Sequence, residues 1–247
     1  MRIFLMKYLD GAARARGTAV IIDVFRAASL ACRAMAGGAA RIIPVATLEE
    51  AFALKAGHPD WILAGEREAL KPEGFDFGNS PSDIAEADLA GKTLIHATSA
   101  GTRGLAAALA AGADEVLFCS FLNMGATARY LLAENPPEVS IVAMGKAGEA
   151  PAPEDDLCAM YLKNELEDVP NVFSAIAGFL RHTDSASIFF GETAIVPEAD
   201  FAMCLDLDAV DFILRAAPGP DGLMSLARAE APAPKPQGDP APHGDTA

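Results

Sequence analysis

Short apolar runs alternate with alanine-rich helical stretches through most of this 247-residue chain. A helix is predicted after most of these strands, and Thr47 opens one of them as N-cap, with Glu50 at the capping-box position. The predicted strands are residues 18–24, 41–46, 61–66, 92–98, 115–121 and 139–145, and a later helix is predicted over 154–167. Such alternation predicts an α/β layered fold with a largely parallel sheet.

The last part of the chain has a different composition. From residue 216 onward proline, alanine and glycine dominate, and such a segment buries too little apolar surface to offset its ordering entropy. We therefore predict a single α/β domain over residues 1–215 and a disordered tail over 216–247.

Charge and cysteine content narrow the function classes. A net charge of −15 argues against nucleic acid or an anionic membrane surface as partner, so an anion pocket must be built from particular Arg and Lys side chains. The chain has no signal-peptide pattern at its start and no apolar run long enough to span a membrane. Its four well-separated cysteines predict buried free thiols. We expect a cytoplasmic protein; a homo-oligomer is compatible with the sequence.

An internal similarity links the first and second thirds of the chain. With Gly38 placed on Gly112, an offset of 74, two units of strand, polar turn, helix and strand coincide. Any two β-α-β units look alike, so this is either coincidence or a duplication whose polar turns face one cleft. In both cases the turns follow strands, where α/β sheets build ligand sites.

Two turns and one helix start carry candidate chemistry. Asp23 ends the strand over 18–24 and Arg26 follows it; an ion pair, a helix cap or a metal site would each explain this carboxylate. The turn over 97–103 opens a helix with hydroxyl groups, which suits either an anion cradle or plain capping by Thr98 or Ser99. Acids at 154–156 suit the helix dipole or a hard cation.

The segment over 64–81, A-G-E-R-E-A-L-K-P-E-G-F-D-F-G-N-S-P, is dense in polar groups. It is interpreted as an ordered functional loop, because it combines acids, an arginine and an amide with two phenylalanines and no regular period. The alternative is a solvated loop that Phe75 and Phe77 anchor to the core.

In their order, these motifs resemble the 2-phosphosulfolactate phosphatase family. The matching motifs are D-V-F-R-A at 23–27, G-E-R at 65–67, G-F-D-F-G-N-S-P at 74–81, T-S-A-G-T at 98–102, S-F-L-N at 120–123, E-D-x-x-C-A at 154–159 and C-L-x-x-D at 204–208. The resemblance implies a three-layer α/β/α sandwich with a mixed, largely parallel sheet. It also implies a Mg²⁺-dependent phosphatase that converts 2-phosphosulfolactate to sulfolactate and phosphate, a step towards coenzyme M.

On this hypothesis the substrate is a small phosphorylated anion and the site residues fall into three groups. The catalytic acids are Asp23, Glu66 and Asp155. The Mg²⁺ ligands are Asp23, Glu66, Glu154 and Asp155. The substrate-binding residues are Arg26, Arg67, Asn79, Ser80, Thr98, Ser99 and Thr102.

The chain departs from the family pattern at several polar or flexible positions. Ala28 and Leu30 stand where hydroxyl residues are usual, Ala100 replaces an asparagine, and Glu68-Ala69 replaces glycine after G-E-R. A related phosphorylated 2-hydroxy acid is therefore an alternative substrate. Two further hypotheses are a non-catalytic anion-binding homologue and a hydrolase with Cys158 as nucleophile.

Overall fold

The computed structural model describes residues 1–219 and 221–233. Its strands are β1 (Arg2–Lys7), β2 (Thr18–Ile22), β3 (Arg41–Val45), β4 (Ile62–Gly65), β5 (Thr93–Ala97), β6 (Glu115–Cys119), β7 (Glu138–Ala143), β8 (Phe212–Pro218) and β9 (Met224–Glu230). Its α-helices are α1 (Tyr8–Ala12), α2 (Ala27–Ala36), α3 (Leu48–Gly57), α4 (Pro81–Ala85), α5 (Gly101–Ala110), α6 (Met124–Glu134), α7 (Pro153–Leu166), α8 (Phe173–Leu180) and α9 (Glu198–Cys204). The predicted strands all exist, and the predicted cap of α3 is confirmed, because Thr47 Oγ1 accepts the Glu50 N–H at 3.1 Å.

Within the described residues the strands form one sheet of order β1-β7-β2-β6-β8-β9-β3-β5-β4. Five strand pairs are parallel: β1–β7, β7–β2, β2–β6, β3–β5 and β5–β4. The pairs β6–β8, β8–β9 and β9–β3 are antiparallel. Helices cover both faces. The predicted α/β class with a mixed, largely parallel central sheet is therefore confirmed.

Side-chain alternation along β2 shows how the two faces are filled. Ile21 belongs to the core cluster that contains alanines of α1 and α2 and a leucine of α5. Val20 and Ile22 belong to the cluster formed with α6 and α7 on the opposite face. All three are fully buried, which explains why this strand is a continuous apolar run rather than an alternating one.

The expectation of disorder from residue 216 is wrong for the described part of that segment. Strand β8 runs to Pro218 and β9 pairs with it antiparallel in full register, from Phe212 opposite Glu230 to Pro218 opposite Met224. Leu226 is fully buried and also lies opposite Ile42 of β3, so this hairpin joins the two halves of the sheet. Residues 234–247 of the predicted tail lie outside the described residues.

The internal similarity corresponds to an approximate two-fold relation in the sheet. The offset of 74 places β2 on β5, α2 on α5 and β3 on β6, with α3 falling on the start of α6. Each unit pairs with the other rather than with itself, β2 with β6 and β5 with β3, so the order β7-β2-β6-β8 repeats in reverse as β9-β3-β5-β4. The turns after β2 and β5 nevertheless meet, because Asp23 Oδ2 accepts the Gly101 N–H at 2.8 Å.

Two remaining sequence predictions have structural outcomes. The four cysteines are free and buried, as predicted. Among the described residues, the structure contains no helix long and apolar enough to cross a membrane.

Candidate active site

Asp23 joins the two equivalent turns. It directly follows β2 and is 7% exposed. Its Oδ1 accepts the Ala27 N–H at 3.2 Å, at the start of α2, and its Oδ2 accepts the Gly101 N–H at 2.8 Å, at the start of α5. The alternative of an Asp23–Arg26 ion pair is wrong, since the carboxylate bonds to backbone groups and Arg26 pairs elsewhere.

Asp155 ties helix α7 to two strand ends. It lies in the first turn of α7 and is buried. Its Oδ1 accepts the Val24 N–H at 2.7 Å, just beyond β2, and its Oδ2 accepts the Gly145 N–H at 2.8 Å, just beyond β7. The neighbouring Glu154 is also buried, and its Oε2 accepts the Ser185 hydroxyl at 2.6 Å.

Glu66 has the corresponding place in the other half. It follows β4, its Oε1 accepts the Ser99 N–H at 2.7 Å, and its Oε2 accepts the Ala69 N–H at 2.9 Å. Thus Asp155 holds the turn after β2 while Glu66 holds the turn after β5, and Asp23 connects those turns to each other. We call Asp23, Glu66, Glu154 and Asp155 the carboxylate network.

Burial makes ionisation of Asp23, Glu154 and Asp155 unfavourable. Burial, reinforced by the charges of Glu66 and Glu154, raises the pKa of Asp23 from 3.8 to about 7, although its backbone hydrogen bonds oppose the shift. Burial, then the charge of Asp23, raises the pKa of Asp155, and burial raises that of Glu154. Within the described chain no Lys or Arg forms an ion pair with these three acids, so their charge is balanced by protons or by a cation.

The donor chemistry of the network fits a hard divalent cation. Carboxylate oxygens are the ligands that Mg²⁺ prefers, and an oxygen that accepts one N–H keeps a second lone pair. Among the described residues, no group of three or more His, Cys, Asp or Glu side chains lies close enough together in this conformation to hold a metal ion. The assignment of these four acids as Mg²⁺ ligands therefore stays a prediction.

Arg26 belongs to a second group of buried polar residues. Its guanidinium Nη1 donates to Asp200 Oδ2 at 2.7 Å, and Nη2 donates to the Ala69 carbonyl at 3.1 Å. Asp200, on α9, is fully buried, and its Oδ1 accepts from Ser80 Oγ at 2.8 Å and from the Ser82 N–H and Oγ at 2.9 and 2.7 Å. The sequence prediction missed Asp200, because its partners lie 174 and about 120 residues away and its only local signal is an acid in an apolar run.

Beside Arg26 lies an open cavity of about 620 Å³. The described residues that line it are Arg26, Ala69, Leu70, Lys71, Asp76, Phe77, Gly78, Asn79, Ser80, Asp83, Glu86, Ala87, Ile195, Val196 and Pro197. Three predicted substrate-binding residues are among them, whereas the four acids of the carboxylate network are not. Ala69 connects the two parts of the site, since its N–H goes to Glu66 and its carbonyl accepts from Arg26.

The other predicted binding residues are placed differently. Thr98 and Thr102 are buried and bond to each other's backbone and hydroxyl groups within the turn. Ser99 offers its N–H to Glu66. Arg67 donates to the carbonyls of Glu66 at 2.7 Å and Ala46 at 3.1 Å, so the structure does not bring it to the cavity.

The loop over 74–81 combines both of its sequence interpretations. Phe75 is buried against Phe52, with ring centroids 5.5 Å apart, and the Phe77 N–H donates to the Leu63 carbonyl of β4 at 3.0 Å. These contacts anchor the loop. Asn79 lines the cavity, and its Oδ1 lies 3.1 Å from Nε2 of the buried His96.

The turn after β4 is strained in this chain. Glu68 and Ala69 have φ of 55° and 66°, the left-handed region that glycine adopts easily. Reciprocal backbone bonds of 3.0 Å between Arg67 and Leu70 close the turn around them. Glu68 and Ala69 thus adopt a backbone conformation that favours glycine, and Ala69 bonds to both Glu66 and Arg26.

Comparison with known proteins supports the motif resemblance. The model of the 2-phosphosulpholactate phosphatase family matches residues 5–217. A probable 2-phosphosulfolactate phosphatase of Clostridium perfringens is 41% identical over 163 residues, which is 64% of each chain. One of Bacillus subtilis is 35% identical over 202 residues, 79% of this chain and 85% of the relative.

A third relative with the same name, from Clostridium acetobutylicum, is 41% identical over 152 residues, 61% of this chain and 63% of its own. The chain thus spans a little under two thirds of the length of the first Clostridium relatives that it matches. It spans 85% of the length of the Bacillus relative. The family match covers both the carboxylate network and Arg26. This chain belongs to the 2-phosphosulpholactate phosphatase family.

Proposed function

We propose that the protein is a Mg²⁺-dependent phosphatase that hydrolyses 2-phosphosulfolactate, or a related phosphorylated 2-hydroxy acid, to the hydroxy acid and phosphate. The observation that carries this proposal is that Asp23, Glu66 and Asp155 are tied together through the turns after β2 and β5, close to Arg26, in a chain that belongs to this family. The names of the relatives support the same activity.

The cavity wall offers two cations and several hydrogen-bonding groups to a small anionic substrate. Of the described residues that line it, two are cations (Arg26 and Lys71), three are acids (Asp76, Asp83 and Glu86), and Asn79 and Ser80 add uncharged hydrogen-bonding groups. Because Asp200 pairs with Arg26, the two cations would attract an anion mainly through directed hydrogen bonds rather than through an excess of positive charge. The buried guanidinium of Arg26 is fixed in place before a ligand arrives, which lowers the entropic cost of binding.

The carboxylate network supplies proton transfer. With a pKa of about 7, Asp23 exchanges a proton readily near neutral pH, as a general base that removes a proton from water must do. Asp155 and Glu66 hold the turns around it through backbone N–H groups, so its position is fixed from both sides. Mg²⁺, when bound by these oxygens, supplies Lewis-acid stabilisation of the negative phosphoryl oxygens.

The direct test is phosphate release by purified protein from a panel of phosphorylated 2-hydroxy acids that includes 2-phosphosulfolactate. We expect release with Mg²⁺ and its loss in EDTA. No release from any member of the panel, with Mg²⁺ present and the protein folded, would refute the proposed activity.

A non-catalytic anion-binding homologue is the second candidate. Ala28 and Ala100 provide no polar side chain, and Asp200 already neutralises the charge of Arg26, which favours a site with fewer substrate contacts. Thermal stabilisation by inorganic phosphate or sulfolactate, with no turnover and no effect of Mg²⁺, would favour this candidate. A Cys158 nucleophile has little support, because burial raises the pKa of that thiol well above its usual value.

A further inference from the structure

We propose that Asp200 is a positioning residue for the phosphatase reaction: it holds Arg26 at the cavity wall and sets how much positive charge Arg26 offers to an anion. This role rests on the proposed function, since it concerns the same site. It is carried by the contacts and burial of Asp200.

The side-chain hydrogen bonds of Asp200 come from residues that line the cavity or adjoin its lining. The residue is fully buried, and its two oxygens accept hydrogen bonds from three residues. Oδ2 accepts from Arg26 at 2.7 Å, whereas Oδ1 accepts from Ser80 and Ser82 at the start of α4. A buried carboxylate must be paired and hydrogen-bonded to be tolerated, and Asp200 achieves this with groups that line or adjoin the cavity.

The same contacts fix the guanidinium of Arg26. A guanidinium has five N–H bonds. In the described residues, Arg26 donates to Asp200 through Nη1 and to the Ala69 carbonyl through Nη2. Two anchors orient the planar group, so its remaining N–H groups stay available to a phosphate or carboxylate in the cavity.

Asp200 also lowers the electrostatic attraction of the site. The Arg26–Asp200 pair is neutral as a unit, with side chains 4% and 0% exposed. Removing the negative charge should strengthen simple anion binding, while losing the anchor should misplace the guanidinium during the reaction. Misplacement by about 1 Å costs on the order of 100-fold in rate. A positioning role for Asp200 therefore predicts that its replacement raises the affinity for phosphate and lowers turnover.

The test is Asp200→Asn, compared with Asp206→Asn as a matched control. Asp206 also pairs with an arginine that follows β2, Arg33 at 2.7 Å, but its side chain is 57% exposed. For Asp200→Asn we expect kcat to fall about 10- to 100-fold while inorganic phosphate binds several-fold more tightly by calorimetry. The control should match the wild type in both. A general loss of structure would instead weaken phosphate binding and turnover together.

A double-mutant cycle with Arg26→Lys shows whether Asp200 acts through Arg26. We expect kcat/KM of the double variant to lie within about threefold of Arg26→Lys alone, because coupled residues are not additive. In a folded Asp200→Asn variant, multiplied losses in the double variant, an unchanged kcat, or weaker phosphate binding would each overturn the proposal. Should Asp200→Asn not fold, Ser82→Ala removes one donor to Asp200, and an unchanged kcat in that variant would overturn it as well.

The two proposals fail in distinguishable ways. If the wild-type protein releases no phosphate from any substrate, the proposed activity is refuted, but the calorimetric comparison of phosphate binding still tests Asp200. If the wild type is active and Asp200→Asn behaves like Asp206→Asn, only the positioning role is refuted.

Discussion

Ala69→Gly should stabilise this protein, although glycine substitutions usually destabilise. Ala69 has a φ of 66°, and the left-handed conformation costs an L-residue about 1–2 kcal/mol. Glycine avoids that cost but gives the unfolded chain more freedom, which offsets about 0.4–1 kcal/mol. The two functional contacts of Ala69 are both made by its backbone, N–H to Glu66 and carbonyl to Arg26, so the substitution keeps them.

The net expectation is a gain of about 0.5–1 kcal/mol in the free energy of unfolding. For a chain of this size that corresponds to a rise in Tm of about 1–4 °C. Thermal and urea unfolding measure it, with Ala53→Gly as control. Ala53 is an exposed residue inside helix α3, where glycine should cost about 0.5–1 kcal/mol. Equal destabilisation by both substitutions would refute the assignment of strain to this turn.

Three further predictions follow from the carboxylate network and its surroundings. The pKa of Asp23 is raised from 3.8 to about 7, so between these pH values the folded state keeps a proton that the unfolded state loses. Without metal, the free energy of unfolding should therefore fall as pH rises from about 4 to about 7 and then level off. Urea unfolding at several pH values measures this fall, which should be smaller in Asp23→Asn. Mg²⁺ should counteract the fall most strongly near pH 7. The same pH dependence in Asp23→Asn as in the wild type would contradict the prediction. Gly101→Ala should lower the free energy of unfolding by about 1–3 kcal/mol, since the added Cβ would lie 2.7 Å from Asp23 Oδ2 and 2.8 Å from a Phe118 ring carbon. Gly178→Ala is the control, because a Cβ at that position would have no neighbouring atom within 4 Å, and it should not destabilise the protein. Cys158→Ala should keep phosphatase activity; its complete loss in a folded variant would restore the thiol hypothesis.

The sequence was informative where local pattern and tertiary structure agree. Strands such as β2 are buried on both faces, so an apolar run bounded by turns identifies them. The offset between Gly38 and Gly112 also matched equivalent elements, but it did not reveal that each unit pairs with strands of the other. That exchange depends on contacts between distant segments, which local periodicity does not encode.

The missed features depend on distant partners in the same way. The segment of β9 looked disordered because its composition continues into a proline-rich end, yet Leu226 is buried between β8 and β3. Motif resemblance grouped Asp23, Glu66 and Arg26, and in the structure Ala69 bonds to both Glu66 and Arg26. It did not show that Arg67 bonds to carbonyls away from the cavity, or that Asp200 is the partner of Arg26.

The central claim is that the carboxylate network carries out phosphate-ester hydrolysis. The most direct measurement is the initial rate of phosphate release from 2-phosphosulfolactate, with Mg²⁺, by the wild type, Asp23→Asn and the surface control Asp206→Asn. We predict release by the wild type and the control, and a fall of at least about 100-fold in folded Asp23→Asn, as expected for loss of a general base. Equal rates in all three proteins would contradict this account of the site.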